Sequence, residues 1–203
     1  MRQVCLSGKE LGPGVPGNNG RALIWVLAIL VITIIAAVPR SAAQQKEQAS
    51  LNWRYYGNDP GNMRYQNVDQ INPSNVSQLK PAWVFHTGVH DKDASMETTP
   101  IVLNGVMYLT SGEDDVFAVN AGTGSQIWAY HPTDMPPLSK LPLCCARNNR
   151  GVAEGQGRLY LARLDATLVA LNQSTGQQLW KTTVDDWHNG YTMTIPPQYV
   201  TAW

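Results

Sequence analysis

The residues whose types and spacing could do chemistry are concentrated in one stretch, Leu143-Cys144-Cys145-Ala146-Arg147-Asn148-Asn149-Arg150-Gly151. Two adjacent thiols are uncommon, and a bond between them is strained. A disulfide favours Cα atoms about 4.4–6.8 Å apart, whereas neighbours across a trans peptide sit at about 3.8 Å. Strain of this kind persists where the surroundings enforce it, often at functional sites. Two reduced, buried thiols, or a chance pair, are the plainer readings of the same residues. The other chemistry-bearing side chains are dispersed. His86, His90, His131 and His188 show no zinc-site spacing and read as surface residues. Asp114-Asp115 and Asp185-Asp186 read as solvated turns rather than metal sites, and no Cys-x-x-Cys-His haem motif is present.

The N-terminus is different in kind from the rest. Arg2, Lys9 and Arg21 precede a run from Ala22 to Val38 that is apolar apart from Thr33, followed by Pro39, Arg40 and the small residues Ser41-Ala42-Ala43. A basic region, an apolar region and small residues in that order make a secretory signal, with cleavage expected after Ala43. An uncleaved membrane anchor is the alternative, because a run of 17 residues lies at the lower limit for spanning a bilayer. The expected division is therefore 1–43, signal or anchor with transient membrane contact, and 44–203, the working part. The whole chain has 15 basic and 15 acidic side chains, which gives no reason to expect a nucleic-acid partner. Cleavage would remove Cys5 and leave Cys144 and Cys145 in a compartment where disulfides persist. An intramolecular bond there could join only the adjacent pair. The expected location is the periplasm.

The elements that must position this stretch read as all-β. Pro100-Ile101-Val102-Leu103, Asn104-Gly105 and Val106-Met107-Tyr108-Leu109 form a hairpin signal, because both turn positions need φ > 0. Val116-Phe117-Ala118-Val119 follows, and a Gly-containing turn leads into Gln126-Ile127-Trp128-Ala129-Tyr130. Leu79–Thr87 is predicted as a strand, and Ile195–Val200 as the opening strand of another sheet. The unit then recurs at an offset of 52 without a gap. Residues 105–130 and 157–182 are identical at nine positions, including Ala-x-Asn and Thr-Gly-x-x-x-Trp. A four-stranded repeat of about 40–50 residues is the signature of a β-propeller. The repeat length predicts about three blades in this chain, with the repeated tryptophans packing between them.

The Ala-x-Asn…Thr-Gly-x-x-x-Trp end of the repeat resembles that of the quinoprotein dehydrogenases, which bind pyrroloquinoline quinone (PQQ). The cysteine pair followed by Asn149-Arg150-Gly151 is similar to the methanol and ethanol dehydrogenase branch. So are Trp53-Arg54-Tyr55-Tyr56-Gly57, Ser95-Met96-Glu97-Thr98-Thr99-Pro100, Leu164-Asp165-Ala166 and Gly190-Tyr191-Thr192-Met193-Thr194-Ile195-Pro196-Pro197. Ala146 and Asn148 depart from the family, which usually carries an acidic residue and a valine there.

The resemblance implies an eight-bladed propeller with PQQ in a chamber on its axis. A Cys144–Cys145 disulfide would form one wall against the quinone, and Glu97, Arg150 and Thr194 would bind the cofactor. The implied reaction is oxidation of a small primary alcohol to an aldehyde, with electrons passing to cytochrome c or another acceptor. The calcium or lanthanide ligands, the catalytic base and the second stacking wall are expected beyond residue 203, so this chain is expected to be an inactive N-terminal portion of the enzyme. A non-enzymatic periplasmic propeller, a scaffold or assembly protein, is the alternative; it explains the repeats but neither the cysteine pair nor Glu97.

Overall fold

The computed structural model describes residues 51–144 and 146–201. The signal or anchor segment and Cys145 lie outside them, and with them the expectations about cleavage and the disulfide. Eight strands form two antiparallel sheets. The first blade holds β1 (Ile101–Leu103), β2 (Val106–Thr110), β3 (Val116–Asn120) and β4 (Gln126–Tyr130). The second holds β5 (Ala153–Gly155), β6 (Arg158–Ala162), β7 (Thr167–Asn172) and β8 (Gln178–Thr183). Within each sheet the strands lie in chain order, so every connection is a short turn between neighbours. No α-helix occurs among the described residues.

The predicted hairpin forms as its chemistry requires. Leu103 pairs with Val106, and the two residues between them, Asn104 and Gly105, have φ of 51° and 79°. Gln156-Gly157 makes the same turn in the second blade, at 52° and 71°. Both sheets also share an irregularity in the last strand. Ala118 pairs with Trp128 but Val119 with Gln126, which leaves Ile127 as an extra residue; Leu179 is its counterpart between Ala170↔Trp180 and Leu171↔Gln178.

The strands are apolar on both faces because each blade packs on both sides. One face of the first blade (Ile101, Leu103, Tyr108, Val116, Ala118) meets the opposite face of the second (Leu159, Leu161, Val169, Leu171) in one buried cluster. The other face of the first blade (Leu109, Phe117, Val119) is covered by Trp83 and Phe85. A strand buried on both faces reads as a continuous apolar run rather than an alternating one.

The tryptophans dock between blades by a repeated device. The Trp128 indole donates to the carbonyl of Gln173 at 3.2 Å and lies against Gly176, where an added Cβ would sit 2.5 Å from its ring. Trp83 does the same one repeat earlier, donating to the Ala121 carbonyl at 3.1 Å and lying on Gly124. Both glycines have positive φ, 73° and 74°. The glycine of Thr-Gly-x-x-x-Trp therefore serves two ends: it permits the turn, and it leaves room for the indole of the preceding unit.

Three sequence expectations change. Two complete blades are present among the described residues rather than about three, because the segments flanking them are spent on loops and packing. Residues 79–87 form no strand. Trp83 and Phe85 are partly buried with exposed Val84 between them, so the period-2 packing is real, but no described strand hydrogen-bonds to that backbone. Ile195–Val200 is likewise not a strand. Tyr199 instead stacks on Tyr160 with ring centroids 5.6 Å apart and covers Gly155 so closely that no side chain fits there.

Candidate functional site

The loop from β4 to β5 carries Asn149, Arg150 and Gly151. Gly151 has φ of 126°, and a Cβ on it would lie 3.0 Å from the Thr99 carbonyl, so only glycine suits the position. Asn149 is fully buried, and its side-chain polar groups and carbonyl are taken. Its amide donates to Asp114 Oδ1 at 2.6 Å and to the Ala162 carbonyl at 2.9 Å. Its Oδ1 accepts from Gly151 N–H at 3.1 Å, and its carbonyl accepts from the Thr110 hydroxyl at 2.9 Å.

Arg150 leaves this anchored backbone and meets two residues distant in sequence. Nη2 lies 2.7 Å from Glu97 Oε2, and Nη1 donates to Thr194 Oγ1 at 2.7 Å. The backbone repeats the connection. Arg150 N–H donates to the Thr194 carbonyl at 3.0 Å, and Thr99 N–H to the Arg150 carbonyl at 3.1 Å. Ser95 hydroxyl holds the other Glu97 oxygen at 2.9 Å. The segment carrying Ser95 and Glu97 is itself tied to the cysteine loop. Ser95 N–H donates to the Arg147 carbonyl, Arg147 N–H to the Asp93 carbonyl, and the Arg147 guanidinium pairs with Asp91. Gly112 packs beneath this crossing, where a Cβ would meet the Arg147 carbonyl oxygen at 2.7 Å.

The structure thus brings Glu97, Arg150 and Thr194 into one cluster, built from three loops. The Glu97 and Arg150 side chains remain 41% and 33% exposed, so the cluster is open to a ligand on one side. Cys144, exposed, lies in the same loop six residues before Arg150. A cavity of about 700 Å³ is bordered by Arg150, Arg54, Tyr56, Glu154 and Tyr199, but by none of Glu97, Thr194 and Cys144. It is a neighbouring space and not the cluster itself.

Several residues near the cluster escaped sequence reasoning. Asp114 and Asp115, expected as solvated, are buried. Asp114 reaches across the blade interface to Asn149 and to Leu164 N–H, the latter at 2.7 Å. Asp115 accepts from the Ser111 hydroxyl at 2.7 Å and lies 2.8 Å from His131 Nδ1. Tyr56 sits at the edge of the cluster, and the Thr99 hydroxyl and the Arg64 guanidinium hold its phenol below the usual range. Asp185 and Asp186 are exposed, as are all four histidines. Among the described residues no group of three His, Cys, Asp or Glu side chains is placed to hold a metal ion.

Burial pushes the Asp114 carboxyl up to about 7, against the lowering effect of its hydrogen bonds from Leu164 and Asn149 and of nearby Arg163. A carboxyl whose folded pKa is raised binds its proton more tightly in the native than in the unfolded chain, so stability is greatest below the unfolded pKa. It is expected to fall as pH rises from about 4 to about 7, by on the order of a few kcal/mol. Urea denaturation at a series of pH values checks this. Asp114→Asn should flatten the slope, and an unchanged slope would assign it to another group.

The two sheets with their docked tryptophans define a β-propeller whose inter-blade loops gather an arginine, a glutamate and a threonine. Comparison with known proteins places it further. The profile of the family described as glucose/ethanol/alcohol dehydrogenase, beta-propeller domain, named for PQQ, matches residues 53–180. The chain belongs to this family. The quinoprotein alcohol dehydrogenase PedH of Pseudomonas putida is 39% identical over 140 residues, 68% of this chain and 22% of that protein. The quinoprotein ethanol dehydrogenase of Pseudomonas aeruginosa is 37% identical over 71% of this chain and 23% of its own length. Among solved structures, the quinohemoprotein alcohol dehydrogenase ADHIIG of Pseudomonas putida superposes with a TM-score of 0.66 at 34% identity, covering 80% of this chain and 23% of that one. A europium-containing methanol dehydrogenase gives 0.68 at 29%, covering 78% and 28%. The chain therefore spans between about a fifth and a little over a quarter of the length of these relatives.

Proposed function

We propose that this chain forms the N-terminal part of an exported PQQ-dependent dehydrogenase that oxidises a small primary alcohol to an aldehyde and passes the electrons to a cytochrome. The observation that carries the reading is the Arg150 guanidinium bridging Glu97 and Thr194, with one side of the cluster open. The donor set suits PQQ, a flat quinone bearing three carboxylates and several ring oxygens. A guanidinium offers a planar fork that matches a carboxylate. The Thr194 hydroxyl accepts from Arg150 Nη1, which leaves its own proton for a second partner. Glu97 holds the fork in orientation and keeps acceptor capacity for a ring N–H.

Bound there, PQQ would supply the hydride acceptor, taking two electrons from the alcohol carbon. The residues of this chain bind and orient it; none is assigned a proton-transfer step. The calcium or lanthanide ion expected from the resemblance has no ligand cluster among the described residues, and no step is assigned to it. Cys144 and Cys145, joined as a disulfide, form one wall of the site in this reading.

The decisive experiment is a PQQ titration read by quenching of tryptophan fluorescence. Arg150→Lys keeps the charge but loses the fork, and is expected to weaken binding at least tenfold, about 1.4 kcal/mol. Unchanged affinity in both Arg150→Lys and Arg150→Ala would sink the reading. Export and the disulfide have their own checks. The N-terminal sequence of secreted protein should begin at Gln44, and an intact Met1 would replace the signal reading by an anchor. Non-reducing peptide mapping should find Cys144 and Cys145 joined; free thiols at both would count against the wall.

A further inference from the structure

We propose that Asp114 is a positioning residue for Arg150, acting through Asn149, and that its ionised form sets the Arg150 guanidinium for ligand. The inference rests on the reading that Arg150 binds the cofactor.

The repeat supplies an internal control. Asp114 and Ala166 occupy equivalent places, 52 residues apart, in the turn between the second and third strands of their blades. Both are left-handed, with φ of 65° and 57°. Alanine makes this turn in the second blade, so the turn itself does not call for a carboxylate. Nor does solvation explain one, since Asp114 is fully buried. What the carboxylate does is cross the interface. One oxygen accepts from the Asn149 amide, 35 residues away, and the other from Leu164 N–H, 50 residues away.

Asn149 precedes Arg150 directly, and its side-chain amide, side-chain oxygen and carbonyl are all committed. A shift of its side chain must therefore move the backbone from which Arg150 reaches Thr194 and Glu97. An ionised Asp114 accepts at both oxygens with the strength of a charged acceptor. A proton on either oxygen removes the charge and takes one of that oxygen's lone pairs, so the bond it accepts is weakened.

The groups facing Asp114 are few. From the β6–β7 turn, Arg163 acts as an attractive and Asp165 as a repulsive charge. From β4 comes the half-buried Tyr130 phenol, held protonated above its usual range by burial first and also by the Asp114 charge. On its own turn, Asp115 is engaged by Ser111 and His131. The elevated carboxyl, at about 7, places the change within the physiological range.

The test follows ¹⁵N-labelled full chain by NMR from pH 5 to 9, without cofactor. The Asn149 side-chain amide and the Arg150 backbone amide should titrate together with a midpoint near 7. Both should lose that titration in Asp114→Ala, the residue the second blade uses. The wild-type titration requires no variant, so a variant that fails to fold does not decide the matter; absence of the common midpoint in wild type overturns the proposal. The second arm is PQQ affinity across the same range. Wild type should bind several-fold more tightly at pH 8 than at pH 6, with about tenfold as the ceiling for a single group titrating near 7. If Arg150→Ala abolishes binding while wild-type affinity shows no such rise, Asp114 does not position the cofactor contact. If Arg150→Ala leaves binding unchanged, the functional reading fails and the cofactor half of this proposal falls with it, while the NMR arm still decides whether Asp114 sets Arg150.

Discussion

Gly176→Ala is expected to lower stability by about 3 kcal/mol, although it adds a single methyl group. Two costs combine. Alanine at a φ of 73° takes on a left-handed conformation that disfavours any Cβ, about 1–2 kcal/mol. The new Cβ also meets the Trp128 ring at 2.5 Å, and forcing atoms into a filled interface costs typically about 1–3 kcal/mol. The fold contains its own control. Gly157 has nearly the same φ, 71°, and a methyl added there would meet nothing within 4 Å, so Gly157→Ala should carry the conformational cost alone. The two variants compared by urea denaturation isolate the contact with Trp128. Equal losses would show that the turn, and not the docked indole, demands glycine at 176. Truncating Trp128 to alanine should make a further Gly176→Ala change cheaper than it is in wild type, because the contacting ring is gone.

The second large effect is expected at Arg163. Its side chain is 1% exposed and is held between Asp134 Oδ1 at 2.8 Å and Asp165 Oδ2 at 2.6 Å, with Lys181 also pairing to Asp134. Burial alone would draw the guanidinium down, but Asp165 and Asp134 outweigh it and hold it above its usual range, so it stays charged. Removing one partner of a buried pair leaves the other charge uncompensated, and Arg163→Met should cost about 3–5 kcal/mol. Most of that loss belongs to the stranded Asp165, whose side chain is 8% exposed, rather than to Asp134, which is 38% exposed and keeps Lys181. Adding Asp165→Leu to Arg163→Met should therefore recover a large part of the stability. A double variant no better than the single one would mean that the guanidinium contributes by packing rather than by pairing.

These cases show where the sequence was readable. The Asn104-Gly105 turn was legible because its chemistry is local: two positive φ values between apolar runs admit few other residues. The repeat was legible because a blade cannot bury its faces alone and must reuse one pattern. The docking of Trp128 was expected, but the reason for the glycine was only half seen, since the indole arrives from the preceding blade. Asp114 and Arg163 were missed because acidic pairs in turns and arginines ordinarily face water, and their partners lie 35 and 29 residues away. Arg163 had one available signal: it aligns with Ser111 of the first blade, which is also buried. The grouping of Glu97, Arg150 and Thr194 came from resemblance; nothing in separations of 53 and 44 residues announces it. The 79–87 segment misled because side-chain alternation reports packing, whereas a strand also needs a hydrogen-bonded neighbour.

The extra residues Ile127 and Leu179 carry a consequence for how such a chain can change length over generations. In a regularly paired strand, losing one residue exchanges the faces of every side chain beyond it. At Ile127 or Leu179 a deletion restores regular pairing, because Gln126 and Trp128, or Gln178 and Trp180, keep their present partners. Both residues are also half in solvent, at 51% and 45% exposure, so little packing is given up. Each blade therefore holds one position at which its outer strand can shed a residue and remain the same blade, and length variation among related propellers should gather there.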